Sequence, residues 1–425
     1  MGSGRAAWDA AAPSSLESRF FADDGLWRSA PLLTGQSSFD PLPDVRNIMV
    51  TGGEGFIASW LVRHLVVKYP EAYTVISFDK LDYCSSRHNS RMLEDRPNFH
   101  FVHGDVTCQT DVVDCLKRFK IDTIFHLAAH THVDLSFGNS YAFTKNNVLG
   151  THVLLESAIG VGTVTRFFHI STDEVYGEVD TEKGDLKEHS LLDPTNPYAA
   201  TKAAAEMMVT AYARSFKIPA VVVRMNNVEE IIPKFTNLLQ REMPLFIHGD
   251  GKHTRRFLYA GDGADAFDTI LHRGELGQVY NVDSRDELSN FELAKKLLDT
   301  FGLTDTDTWI QWTRDRPFND RRYAVDGTKL RKLGWVQRVS FEEGLTATVD
   351  WYSKFSGWWG PVDNTLLAPF PVLKGGHVVA PETSRKTERS ATVGAQVDGG
   401  ATLNGETACN GVEAGSKKRK VGLMA

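Results

Sequence analysis

Cysteine is scarce in this chain. Cys84, Cys108, Cys115 and Cys409 are scattered over 425 residues, too few for a disulfide framework, and they fit a reducing compartment. Long apolar runs are missing as well, so no bilayer-spanning helix is expected. Positive charge is not in excess. Lys and Arg total 47 against 54 Asp and Glu, a net charge of -7, which argues against nucleic acid or a membrane surface as a partner. The N-terminus has no basic head followed by an apolar core, so no secretory leader is expected. Met1-Gly2 opens like an acylation signal, but Ala6 stands where Ser or Thr is needed. What remains, 42% hydrophobic and 24% charged, is an ordinary globular composition, long enough for two or three folding units.

Residues 1 to 43 are rich in Ala, Ser, Gly and Pro without a sustained period, and read as a mostly disordered arm. Strand-like runs then recur. They begin at Val45–Val50 and continue with Val75–Phe78, Phe99–Val102, Thr123–Leu127, Arg166–Ile170 and Ala220–Val223. Each interval is long enough for a helix. That rhythm predicts an α/β fold, a doubly wound parallel sheet of Rossmann type with helices on both faces. The expected division is a dinucleotide-binding domain over 44–225, with 255–283 returning to it. A smaller mixed α/β substrate lobe takes 226–254 and 284–373. The Gly-, Ser-, Thr- and Glu-rich stretch 374–425 reads as a disordered tail.

Gly52-Gly53-Glu54-Gly55-Phe56-Ile57-Ala58 follows the first strand and leads into an apolar helical run. Glycines there let the backbone approach a pyrophosphate, and the helix N-terminus supplies amide donors. The last position of the pattern, Ala58, tolerates Ala. Asp79 ends the second strand, where a carboxylate accepts from a ribose 2′-hydroxyl and repels a 2′-phosphate. This favours NAD over NADP, with Lys80 softening the preference. The alternative is a capping or surface Asp. Asp105, after the third strand, lies where an adenine contact is expected.

The sequence also carries Ser171-Thr172-Asp173-Glu174-Val175-Tyr176-Gly177, followed by Tyr198-Ala199-Ala200-Thr201-Lys202. Thr195 or Asn196 can cap a helix with Pro197 in its first turn. Tyr198 and Lys202 then share a face. An ammonium near a phenol favours the phenolate, so Tyr198 can take a hydroxyl proton as hydride leaves the same carbon. That pair alone suggests reversible hydride transfer. Asp173 and Glu174 follow the fifth strand, at the carboxyl edge where such sheets bind ligands. Neighbouring carboxylates split their pKa values, which suits an acid and a base. Together the residues point to oxidation coupled to elimination of water. A solvated acidic turn is the bland alternative.

Taken together, these motifs resemble the nucleotide-sugar 4,6-dehydratases of the extended short-chain dehydrogenase/reductase superfamily. They are most similar to eukaryotic UDP-glucose 4,6-dehydratases, including the first module of plant rhamnose synthases. The resemblance covers about residues 44 to 370. It also rests on Asp79–Cys84, His130–Asp134, Thr144–Asn147, His248–Gly251 and Arg316–Asp320. It implies that Tyr198 deprotonates the C4 hydroxyl, Glu174 removes the C5 proton, Asp173 assists loss of the C6 hydroxyl and Thr172 holds the C4 oxygen. NAD is the implied cofactor, held by Gly52, Gly55, Phe56, Ile57, Asp79, Lys80, Asp105, Val106, Leu127, Ala128, Ala129, Asn146, Tyr198 and Lys202. The implied substrate contacts are His132, Asp134, Ser136, Asn227, Lys234, Arg255, Asp320, Arg321 and Arg322. UDP-glucose is the implied substrate, a homodimer the implied assembly and the cytoplasm the implied location.

Two departures stand out. Leu135 occupies a position where the family reads Asn. Asn226-Asn227-Val228 runs almost straight into Glu229-Glu230-Ile231-Ile232-Pro233-Lys234, where relatives carry further residues beginning Tyr-Gly-Pro. Two alternatives therefore stay open: an epimerase or decarboxylase of the same fold, and a catalytically silent NAD-binding relative. Asp173 and Glu174 speak against the first. His126, His130 and His132 lack the matched ligand set a metal needs, so none is expected. Lys417-Lys418-Arg419-Lys420-Val421 resembles a nuclear import signal; a solvated basic patch is the alternative.

Overall fold

The six expected runs pair into one sheet in the computed structural model, which describes residues 25–179, 184–226, 231–359, 372–374 and 377–379. These strands are β1 (Asn47–Thr51), β2 (Thr74–Asp79), β3 (Phe99–His103), β4 (Thr123–His126), β5 (Arg166–Thr172) and β6 (Ala220–Met225). The chain then crosses the smaller lobe through β7 (Leu245–His248) and β8 (Thr254–Arg256). It returns to the sheet with β9 (Val279–Val282). The order is β3-β2-β1-β4-β5-β6-β9, and every pairing is parallel. The direction of winding reverses between β1 and β4, which opens a crevice at the carboxyl edge.

Helices cover both faces, which is why the strands are continuously apolar. Alternate residues enter opposite cores. Ile48, Val50, Val75, Phe125, Phe168 and Val223 pack on one side with Leu61 and Phe267. Met49, Ile76, Ile124, Phe167 and Val222 pack on the other with Leu116, Leu154 and Val209. Phe125 and Phe168 stack with centroids 4.4 Å apart. A separate core holds the smaller lobe, built on Phe235, Ile247, Phe257, Leu297, Ile310 and Leu345. There β7 pairs with β11 (Ile310–Thr313), and β8 with β10 (Glu287–Ser289). Capping boxes start two helices of that lobe, Ser289 with Glu292 and Ser340 with Glu343.

Residues 25–43, expected to belong to a disordered arm, lie against the sheet domain. Asp265, on the Ala260–Arg273 helix, accepts from the amides of Gln36 and Ser37 and from the Ser37 hydroxyl, at 2.7, 2.8 and 2.9 Å. Tyr69 and Tyr73 accept from the amides of Phe39 and Leu42. Buried polar side chains fasten this segment from outside, so it carries no periodicity of its own. Backbone pairing of Val372–Lys374 with His377–Val379 falls where the tail was expected to begin. The basic run at Lys417 lies outside the described residues. Among the described residues no helix is long and apolar enough to cross a membrane.

Candidate active site

A cleft of about 540 Å³ opens at the carboxyl edge of the sheet. Its nucleotide end is shaped by the turn after β1. Gly52 sits at φ +70°, and a Cβ there would stand 2.9 Å from the Ala128 backbone, so only glycine fits. Its amide donates to the Phe78 carbonyl at 2.8 Å. Gly55, Phe56 and Ile57 line the cleft as the next helix begins, and Val106, Leu127, Ala128 and Ala129 face them from the ends of β3 and β4. Asp79 is buried and accepts from the Glu54 amide (3.0 Å), the Leu81 amide (2.7 Å) and the Ser85 hydroxyl (3.0 Å). Burial pushes its carboxyl up against the pull of those bonds. A carboxylate accepts about four hydrogen bonds, so one site stays open for a ribose hydroxyl. Lys80 is turned towards Asp82 (3.1 Å) and donates to Asn146 Oδ1 (2.9 Å). These features fit a dinucleotide.

The chemical end is assembled from β5, β6 and the Pro197–Phe216 helix. Thr172 closes β5, and its hydroxyl accepts from the Glu174 amide at 3.3 Å, capping the short turn Asp173–Tyr176. Asp173 and Glu174 are both buried. Glu174 Oε2 accepts from Asn196 Nδ2 at 3.0 Å and from the Tyr323 hydroxyl at 3.4 Å. Burial, aided by the Asp173 charge, pushes it up to about 7. Burial also raises Asp173, to about 6, against the Asn226 amide that donates to its Oδ2 at 2.5 Å. Asn196 caps the helix, donor Ala199 N at 2.8 Å, with Pro197 in the first turn. The capping side chain therefore also grips Glu174. Lys202 is buried and donates from Nζ to the Ile170 carbonyl at 2.6 Å; burial lowers it to about 8. Tyr198 packs beside Leu135 and Phe143. Glu174, Tyr198 and Lys202 all line the cleft.

With this geometry in place, similarity decides the family. Residues 49–348 match the model of the GDP-mannose 4,6 dehydratase family. The chain belongs to that family. It is 47% identical over 359 residues to a trifunctional UDP-glucose 4,6-dehydratase/UDP-4-keto-6-deoxy-D-glucose 3,5-epimerase/UDP-4-keto-L-rhamnose-reductase of Arabidopsis thaliana, covering 82% of this chain and 53% of that one. The chain thus spans about half the length of these plant relatives. A human dTDP-D-glucose 4,6-dehydratase is 43% identical over 340 residues, covering 77% of this chain and 95% of that one. Among solved structures, the dTDP-glucose 4,6-dehydratase DesIV of Streptomyces venezuelae, with NAD and TYD bound, superposes with a TM-score of 0.71. It shares 37% identity and covers 75% of this chain and 100% of that one.

Other expected contacts of this family member divide by position. His132, Asp134, Lys234 and Arg255 line the cleft. Arg255 lies over the Tyr323 ring and donates to the Asp320 carbonyl at 3.0 Å. Asp173, Asp105, Ser136, Asp320, Arg321 and Arg322 are not on its wall. Asp173 abuts it behind Thr172, hydroxyl to carboxylate 3.3 Å. Asp105 builds a turn by accepting from the Thr107 amide. Ser136 donates to the Val133 carbonyl within its own helix. Arg321 pairs with Asp250 and Arg322 with Glu287 and Asp185. Asp320 accepts from the hydroxyls of Thr195 and Tyr323. Asn227 lies outside the described residues, as does the rest of the shortened segment 227–230.

Sequence reasoning passed over Arg316, His248, Asn226 and Asn196 as site residues, whereas Tyr323 was expected there with the Asp320–Arg322 segment and lines the cleft. Arg316 donates from Nε to Asp134 at 2.7 Å. Burial holds the His248 imidazole down at about 4. Arg316 and His248 stood in motifs already singled out; no spacing rule ties them to residues a hundred positions away. The three histidines take separate partners: His126 the Thr51 and Thr151 hydroxyls, His130 Asp82, and His132 the Tyr83 hydroxyl.

Proposed function

We propose that this chain is an NAD-dependent hydro-lyase that converts UDP-glucose to UDP-4-keto-6-deoxyglucose, towards 6-deoxy sugars such as rhamnose. The observation that carries the reading is the pairing of two buried carboxylates, Asp173 and Glu174, with Tyr198 and Lys202 beside a dinucleotide turn. An epimerase needs no acid–base pair for losing a hydroxyl. The higher identity to the plant UDP-glucose enzymes favours UDP-glucose over dTDP-glucose.

NAD, held by the Gly52–Ile57 turn and Asp79, would supply the hydride acceptor for C4 and the hydride donor for C6. Tyr198 takes the C4 hydroxyl proton, and the Lys202 ammonium favours its phenolate. Thr172 holds the C4 oxygen. The C4 ketone acidifies the C5 proton, which Glu174 removes and gives back to C5 as hydride reaches C6. Asp173, behind Thr172, supplies the proton with which the C6 hydroxyl leaves as water. Water is lost with no net redox change. Lys234, Arg255 and Arg316 bring positive charge to the cleft wall, Arg255 and Arg316 near enough to act on the Glu174 charge, and these cations suit a diphosphate. His132 and Asp134 on the cleft wall, with Asn227, complete the proposed substrate set, which Ser136, Asp320, Arg321 and Arg322 support from behind the wall; Asn146 completes the cofactor set, with Asp105 behind it. The domain boundaries given under Sequence analysis are part of this reading.

The reading places the enzyme in the cytoplasm as a homodimer. Support for the dimer comes from Tyr141, Leu149, Met207 and Phe216, exposed apolar side chains on neighbouring helices. Incubating purified chain with UDP-glucose or dTDP-glucose and resolving products by mass spectrometry tests the function. Loss of one water, faster from UDP-glucose, is expected. A C4-epimerised product of unchanged mass would overturn it.

A further inference from the structure

The C-terminal end of the last described helix reaches back to the nucleotide turn. That helix, Phe341–Lys354, is followed by a turn carrying Trp358 and Trp359. Trp359, Tyr352 and Phe56 line the same cleft as Gly52 and Gly55. The Trp359 ring lies 6.5 Å from that of Phe56, the first residue of the helix that follows the glycine turn, and its Nε1 donates to the Tyr352 hydroxyl at 3.1 Å.

Trp358 holds this wall in place. It is buried, its Nε1 donates to Asn89 Oδ1 at 2.8 Å, and its carbonyl accepts from the Ser86 hydroxyl at 2.7 Å. Asn89 and Ser86 in turn donate to one acceptor, the carbonyl of Glu54 inside the glycine turn, at 2.9 and 3.0 Å. Two relays of two hydrogen bonds each, one through Asn89 and one through Ser86, thus join this turn to the glycine loop. A small aromatic cavity of about 60 Å³ lies behind the wall, lined by Trp60, Tyr259, Trp351, Trp358 and Trp359 among others.

We propose that Trp359, latched through Trp358 and Asn89, is a positioning residue that closes the cofactor's exit. This rests on the NAD reading above. A cycle that withdraws hydride and then returns it fails whenever the cofactor leaves between the two steps. Retention is therefore a mechanistic requirement, and a rigid aromatic wall tied to the phosphate loop meets it by slowing dissociation.

The test is cofactor release. Full-length wild type, Trp359→Ala, Trp359→Phe and Asn89→Ala are loaded with NAD, and release is followed by rapid dilution and by the NAD content left after dialysis. Melting temperatures are taken alongside. Release at least tenfold faster is expected from Trp359→Ala and Asn89→Ala, with Trp359→Phe near wild type. During turnover, the alanine variants should also shed reduced cofactor into solution, which a merely structural defect would not produce. Wild-type release from a folded Trp359→Ala variant overturns the latch. Failure of wild type to bind NAD at all overturns the cofactor reading instead.

Discussion

In the proposed cycle Glu174 and Asp173 share one proton; the free enzyme keeps it mainly on Glu174, the higher of the two, and the roles need it on Asp173 once substrate is bound. Their carboxyls titrate near 7 and 6, values that belong to the coupled pair. Below about 6 both are protonated and the base is lost; above about 7 both are ionised and the acid is lost. The kcat profile is therefore expected to be a narrow bell between those limbs, and a plateau extending to pH 9 would contradict it. Glu174→Gln should leave NAD binding intact while abolishing elimination, so that reduced nicotinamide accumulates on substrate addition. Asp173→Asn should slow elimination by about 100-fold or more. Glu54 offers a stability test. Burial raises it from 4.5 to about 7, against the Arg87 charge and the hydrogen bonds of Ser77 and Ser90. The native state thus binds the extra proton, and stability is fullest below 4.5 and falls as pH rises to about 7, by about 3 kcal/mol in all. Urea midpoints should decline over that window in wild type and decline less steeply in Glu54→Gln, the remaining slope coming from the raised Asp173 and Glu174 carboxyls. Tyr198, Lys202, Asp173, Glu174 and Asp79 were legible at this scale because their spacing to a strand or along a helix carries the chemistry. Arg316 and His248 were not, because only the fold brings them to the cleft.

Elements set the site through their ends. The Pro197–Phe216 helix starts where its sequence says, with Asn196 as cap. The second use of that cap, a hydrogen bond to Glu174, is long-range and invisible in the sequence. Asn196→Ala should therefore cost about 1 kcal/mol of stability and also shift the Glu174 limb of the pH profile, read by comparing melting temperature with kcat against pH. An unchanged limb would show the cap to be only a cap. The six strands were legible as apolar runs because both faces of a parallel sheet are buried. The segment 25–43 was not, because Asp265, Tyr69 and Tyr73 hold it from other elements.

At the scale of the whole molecule, the sheet's carboxyl edge and the smaller lobe form one cleft, and the account requires all of its residues to act in a single catalytic cycle. The dimer is tested by sedimentation: Met207→Glu should convert dimer to monomer, and an unchanged species would contradict the proposed face. In the proposed cycle hydride leaves C4 and returns to C6 of the same sugar. The most direct measurement supplies UDP-glucose deuterated at C4 and locates the label in the product by mass spectrometry and NMR. The 4-keto product should carry deuterium in its C6 methyl group. A product lacking deuterium at C6, or one still carrying it at C4, would contradict this cycle.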